Sequence, residues 1–177
     1  KARIAEKFGA DTITDLSMGG DIPAIRSLIF KNTSVPITTV PIYETVATHG
    51  IEMIGEEDII NTIRSHAGEG VSSFVLHCTA KKMVEELRKN RRVMGVVSKG
   101  GALTIAYMLL NSCENPFIEN LDEILSIMKR NDIVLSLGNS MRSGCIHDLF
   151  DSFQEEEMKK NAEIGRIANE KGVQVIV

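Results

Sequence analysis

Six short candidate strands are spaced along this chain, and glycine or polar residues follow nearly every one. They fall at residues 12–16, 36–40, 71–76, 93–97, 132–137 and 173–177. Several are continuous rather than alternating, the pattern of parallel strands buried on both faces. Helical patterns separate them at 22–31, 56–69, 81–89, 102–110, 121–130 and 148–171. In the 56–69 segment Ile59, Ile60, Ile63 and Ala67 share one helical face. Asn120, with Glu123 three residues on, predicts a capping box for the helix at 121–130. Strand–helix alternation of this kind specifies an α/β fold with a parallel sheet.

Two parallel-sheet architectures compete, an open doubly wound sheet and a (β/α)8 barrel. No GxGxxG turn or GxxxxGK[ST] loop follows the first strand, which removes the most specific nucleotide fingerprints. Polar and glycine residues after nearly every strand suit a TIM-type barrel, whose site is spread over many βα loops. With about six βα units the barrel is expected to be incomplete, a single partial domain over residues 1–177. The chain begins at Lys1 inside a helical pattern and stops at Val177 within an apolar strand, so a fragment is expected.

Bulk properties narrow the function classes. A net charge of −4 lacks the lysine and arginine excess of a general nucleic-acid surface, so no nucleic-acid partner is expected. The basic cluster at 88–92 is local and reads as a solvated helix end. No apolar stretch approaches the roughly 18 residues of a membrane span, so no membrane partner is expected either. Cys78, Cys113 and Cys145 form no CxxC pair, which argues against a zinc or iron–sulfur site built from them. Their odd count suits a reducing, cytoplasmic compartment.

If the strands are successive barrel strands, the loops at their C-terminal ends share one mouth. Ser98-Lys99-Gly100-Gly101 leads into a helix and reads either as a phosphate cradle or as a plain βα turn. Arg142, just beyond the 132–137 strand, either grips a phosphate or carboxylate through its fork of donors or forms a surface ion pair. His77 ends the third strand as a core residue or as a proton-handling group. Tyr43, after Val40-Pro41-Ile42, either contacts a heterocycle or packs at the rim. Asp15 and Asp21 bracket Gly19-Gly20 and read as turn and capping residues. His49, His66 and His147 show no ligand spacing and read as surface or packing residues, and the methionines mostly as core filling.

The blocks DLSMGGDIPAIR, NTSVPITTVPIYE, FVLHC, VMGVVSKGGAL, ENPFIENLDEIL, SLGNSMRSGCIHDLFD and GVQVIV run in order over nearly the whole chain. Together they resemble the phosphomethylpyrimidine synthase family, radical S-adenosylmethionine enzymes of thiamine biosynthesis. The resemblance implies a (β/α)8 barrel that binds aminoimidazole ribonucleotide. It also implies conversion to hydroxymethylpyrimidine phosphate by a carbon–carbon lyase using S-adenosylmethionine, a [4Fe-4S] cluster and zinc. It implies substrate contacts for Tyr43, His77, Ser98, Lys99, Gly100, Asn139, Ser140, Met141 and Arg142, and for Thr14, which stands where the family's MDLSTGG begins. The family's cluster cysteines (CxxCxxxxC) and metal-binding histidine loop follow the strand resembling GVQVIV. The cofactor ligands, and with them a catalytically competent site, are therefore expected outside this chain.

The chain reads SKGG where the family usually has SRGG, and GNSMRSG where it has GDGLRPG. Two other readings stand beside the synthase: a benzimidazole-forming relative using the same nucleotide, and a non-catalytic paralogue that binds the ribonucleotide phosphate. A homodimer is expected from the family's habit and from the sheet edges that an incomplete barrel leaves exposed.

Overall fold

The computed structural model describes residues 1–89 and 92–177. In chain order the elements are α1 (Ala2–Lys7), β1 (Ile13–Asp15), α2 (Ile22–Asn32), β2 (Ile37–Thr39), α3 (Pro41–His49), α4 (Glu56–Gly68), β3 (Ser73–Leu76) and α5 (Lys81–Lys89). There follow α6 (Lys99–Asn111), α7 (Pro116–Glu119), α8 (Leu121–Arg130), β4 (Val134–Leu137), a 3-10 turn (Ile146–Asp148), α9 (Ser152–Glu170) and β5 (Val175–Ile176). The strands form one parallel sheet in the order β1-β2-β3-β4-β5. The fold is α/β, as the alternation requires. The sheet is open, with β1 and β5 at its edges, so the expected barrel is not closed within this chain.

The two faces of the sheet differ in character. Phe74, Leu76, Leu135 and Leu137 point into the main apolar core, where Ile59, Ile60 and Ile63 of α4 and Ile124, Leu125 and Met128 of α8 meet them. Thr39 lies on the same face, its hydroxyl 3.0 Å from His66 Nδ1 on α4. The alternate positions face the other way: Thr38 and Ser73 join hydroxyls at 2.6 Å across β2 and β3. That second face is more open. Thr14 and Ile176 are exposed on it, and Thr38, Val75, Val134 and Ser136 are half-buried.

Five of the six anticipated strands form; the run at 93–97 does not. The Asp148 carboxylate takes the N–H groups of Val93 and Met94, each at 2.9 Å, so no neighbouring strand receives them. Gly95 has φ +60, which breaks an extended run, and β3 pairs directly with β4. The capping box also fails. Asn120 spends its amide on Pro116 O at 2.9 Å and on Glu56, while Glu123 reaches Arg64. The long C-terminal helix begins at Ser152 rather than 148, capped by Asp151, and α6 starts three residues earlier than its periodicity suggests, capped by Ser98. Asp15 and Asp21 do form the predicted turn and cap, accepting from Ser17 N and Ala24 N at 3.0 Å. Of the basic cluster, Arg88 and Lys89 are a solvated helix end but Arg92 is buried; residues 90 and 91 lie outside the described residues.

An ionic network centred on a buried arginine ties α2, α3 and α4 together. Arg26, 1% exposed, reaches Glu44 at 2.6 Å and clasps Glu69 through Nε and Nη2, both at 2.7 Å. His66 Nε2 lies 2.9 Å from the same Glu44 oxygen. Burial alone would raise the Glu44 pKa, but His66 and Arg26 outweigh it and hold the carboxyl down to about 2. Such a group stabilises the fold above its ordinary value of 4.5 and loses that contribution as pH falls toward 2. We predict that Arg26→Ala costs about 3–5 kcal/mol in urea denaturation, because it leaves carboxylates uncompensated. Glu69→Ala should cost less, since Glu44 still faces the arginine. A loss below about 1 kcal/mol for Arg26→Ala would make this a surface-type pair.

Candidate functional site

The site is assembled around one imidazole. His77 follows β3 directly and is 5% exposed. Its Nε2 lies 3.0 Å from Ser98 Oγ, the residue that caps α6. Ser98 Oγ also accepts the Gly101 N–H at 3.2 Å, so its own proton is available to the imidazole. The ring is flanked by backbone on two sides. A Cβ on Gly100 would stand 2.3 Å from Cε1, and one on Gly138 would stand 2.7 Å from Nε2. Among the described residues Nδ1 has no hydrogen-bond partner.

These distances change the reading of the glycine pair. The sequence suggested that Gly100 and Gly101 let backbone amides approach an anion. In the structure their missing side chains make room for His77 and Ser140, a Cβ on Gly101 falling 2.8 Å from Ser140 Cα. The Gly101 amide is already engaged by Ser98. The pair thus seats the start of α6 against the loops after β3 and β4.

The charged groups stand outside this packed centre. Lys99 and Arg142 are exposed. Lys99 Nζ lies 5.9 Å from the Tyr43 ring centroid. Arg142 donates to the Asn139 carbonyl at 3.1 Å, and its charge acts on both Tyr43 and His77. Burial raises the Tyr43 phenol, against the opposing pull of Arg142 and of the Gly100 amide. Burial, with Arg142 second, pulls His77 down to about 4. Cys78, next in the chain, is fully buried, and burial pushes its thiol up to about 12, away from nucleophile chemistry.

The structure therefore brings together Tyr43, His77, Ser98, Lys99, Gly100 and Arg142. Tyr43 comes not from a loop, as its position after a strand suggested, but from the first turn of α3, where Pro41 opens a helix. Asn139 is exposed, with Oδ1 3.3 Å from Asn161 Nδ2. Ser140 and Met141 turn inward: Ser140 Oγ lies 2.7 Å from the Thr79 hydroxyl, and the Met141 side chain packs with Met83, Ile105, Met108 and Phe153. Both residues are 0% exposed, backbone included. Thr14 stands apart, lining a cavity of about 590 Å³ between α1, β1 and α2 with Ile13, Ile25 and Leu28.

Sequence reasoning passed over two residues that hold this region, Glu157 and Arg92. Glu157 sits in the acidic run Glu155-Glu156-Glu157, which reads as a solvated face. Its spacing from Phe153, Asn161 and Ile164, all buried on α9, was the signal that it points inward.

The pH behaviour of His77 checks this geometry. A histidine held down to about 4 stays neutral through pH 6, and the stability it confers is lost as pH falls from about 6.5 toward 4. Nitrogen NMR of the ring should show its titration near the lower value. A midpoint at or above 6.5 would contradict the packed environment.

A family model described as the Radical SAM ThiC family matches residues 1–177. Three curated relatives, each a phosphomethylpyrimidine synthase, are similar along the whole chain. The protein of Methanococcus vannielii is 47% identical over 184 residues, covering 100% of this chain and 43% of its own length. Those of Methanocaldococcus jannaschii and Archaeoglobus fulgidus are 44% and 42% identical, again over 100% of this chain and 43% and 42% of their lengths. The chain thus spans less than half the length of the curated relatives it matches. A match over every residue, with the loops of the candidate site inside it, shows that this chain belongs to the Radical SAM ThiC family.

Proposed function

We propose that the protein containing this chain is a phosphomethylpyrimidine synthase. It acts as a carbon–carbon lyase in thiamine pyrimidine formation and takes aminoimidazole ribonucleotide as substrate. The chain supplies most of the substrate-binding wall. The strand order β1-β2-β3-β4-β5, with the main apolar core on one face, supports reading the open sheet as the arc of a (β/α)8 barrel. The more open face, with Thr38, Ser73 and Ser136, is then the barrel interior.

The observation that carries the substrate reading is a pair of exposed cations, Lys99 in the first turn of α6 beside Tyr43 and Arg142 in the loop after β4 acting on Tyr43 and His77. A phosphomonoester brings nearly two negative charges, and two cations on different segments can flank it. The neutral imidazole of His77, whose Nδ1 has no partner among the described residues, is a hydrogen-bonding group rather than a third cation. Tyr43 offers a ring face and a phenol to the heterocycle.

The family's name implies S-adenosylmethionine and an iron–sulfur cluster. Among the described residues no three His, Cys, Asp or Glu side chains come together as a metal-ligand set. Cys78, Cys113 and Cys145 are free thiols, the first of them buried. The residues present therefore do not fit a cluster or a zinc ion, and no step through either is assigned to them. No helix is long and apolar enough to cross a membrane among the described residues.

The test is calorimetric titration of the full-length protein with aminoimidazole ribonucleotide and with its unphosphorylated nucleoside. The ribonucleotide should bind much more tightly. Arg142→Ala should weaken its binding by about 30-fold or more, since losing one partner of a desolvated charge pair costs about 2–5 kcal/mol. Lys99→Arg, which restores the family's usual residue, should preserve or tighten binding. Equal affinity for the two ligands, or indifference to Arg142→Ala, would overturn the phosphate assignment.

A further inference from the structure

Two buried charged residues that do not reach Lys99 or Arg142 themselves hold the segments that lead to them. Glu157, on α9, is 2% exposed. Its Oε1 accepts the Ser140 N–H and its Oε2 the Met141 N–H, both at 2.8 Å. The Thr79 hydroxyl lies 3.2 Å from Oε1 and 2.7 Å from Ser140 Oγ, which ties the segment after β3 into the same grip. Two consecutive amides on the two oxygens of one carboxylate are a bidentate anchor, and it fixes the peptide planes entering Ser140 and Met141.

Arg92 completes the hold from the other side. Its Nη2 donates to the Met141 carbonyl at 2.7 Å, so the peptide leaving Met141 is fixed as well. The next residue is Arg142. Arg92 also forms a fork with Asp151 and donates to Gly95 O at 3.2 Å. Asp148 takes the amides of Val93 and Met94 from the same region. The segment 92–98, which leads to Ser98 and Lys99, is therefore bonded directly to the segment 139–151. Close packing follows the same line, since a Cβ on Gly144 would fall 2.4 Å from Val97 Cγ1.

We propose that Glu157 and Arg92 are positioning residues, which together set the spacing between Lys99 and Arg142 and so tune the site for a phosphorylated ligand. This rests on the phosphate reading of the previous subsection. A buried ion pair contributes little net stability compared with an apolar replacement, so stability alone gives weak reason for one here. Register is the better-attested use. Met141 has its amide N–H accepted by the Glu157 carboxylate and its carbonyl bonded by the Arg92 guanidinium, and Arg92 belongs to the opposing segment. Misplacing a binding group by about 1 Å is enough to lose much of its contribution.

The variants are Glu157→Gln and Arg92→Lys in the full-length protein. A glutamine presents an NH2 group to one of the two backbone N–H donors, so one anchor is lost with the volume unchanged. A lysine keeps the charge at Asp151 but loses the planar fork that reaches Met141 O. Affinity for aminoimidazole ribonucleotide should fall about tenfold in either variant, while affinity for the nucleoside changes less than about twofold. A merely structural role would lower the melting temperature without this selective loss. Hydrogen exchange provides a readout independent of any ligand: Glu157→Gln should speed exchange in residues 93–98 as well as in 139–142.

The outcomes are separable. If the wild type prefers the ribonucleotide and both variants keep that preference, the positioning role is overturned and the substrate reading stands. If the wild type shows no such preference, the substrate reading is overturned. Faster exchange in Glu157→Gln confined to residues 139–142 overturns the coupling in either case.

Discussion

The imidazole of His77 fills a slot whose walls are backbone at Gly100 and Gly138, and the geometry of the site follows from that. A side chain at either glycine would occupy the ring's own volume. Because the ring is packed this tightly, the N-terminus of α6 and the turn after β4 have one permitted distance from the end of β3. Ser98 then caps the helix and meets Nε2 with the same hydroxyl. Three segments far apart in sequence are locked together by a single uncharged residue. The exposed groups Lys99, Arg142 and Asn139 stand on that platform rather than building it.

Charge is handled in two different ways in the molecule. Arg26 and Arg92 are buried, and each is matched by carboxylates that take its donors in planar, bidentate fashion. Lys99 and Arg142 are left at the surface, next to an aromatic ring and a neutral imidazole. The matched charges fix segments, and the exposed ones are available to a ligand. This division explains why the arginine most visible in the sequence motif is not the one that holds the loop in place.

Much of this arrangement was legible in the sequence, and the failures have physical causes. Short segments rich in apolar and β-branched residues, each followed by glycine or polar residues, located five parallel strands, although the main core covers one face of the sheet and the other is more open. The run at 93–97 satisfied the same pattern, yet Asp148 claimed its amides from more than fifty residues away, a competition no local signal records. Pro41 at the start of α3 read as a loop because proline ends strands as readily as it begins helices. The residues of the candidate site were visible as strand-end polar groups and as the blocks shared with the family. The glycines were visible too, but their purpose was not, since close approach to His77 and Ser140 is a tertiary fact. Glu157 and Arg92 lay hidden in runs of like charge, where composition suggests solvent; helical phase betrays the burial of Glu157, whereas Arg92 lies outside any helix and carries no such signal.

On the proposed function, the segments packed around His77 form one mouth, with Arg142 and Lys99 as its anion-binding edge. The most direct measurement is a crystal structure of the full-length protein with aminoimidazole ribonucleotide bound. The phosphate is expected within hydrogen-bonding reach of the Arg142 guanidinium, and the heterocycle near Tyr43 and His77. A phosphate bound away from both Arg142 and Lys99, or a heterocycle on the opposite face of the sheet, would contradict it.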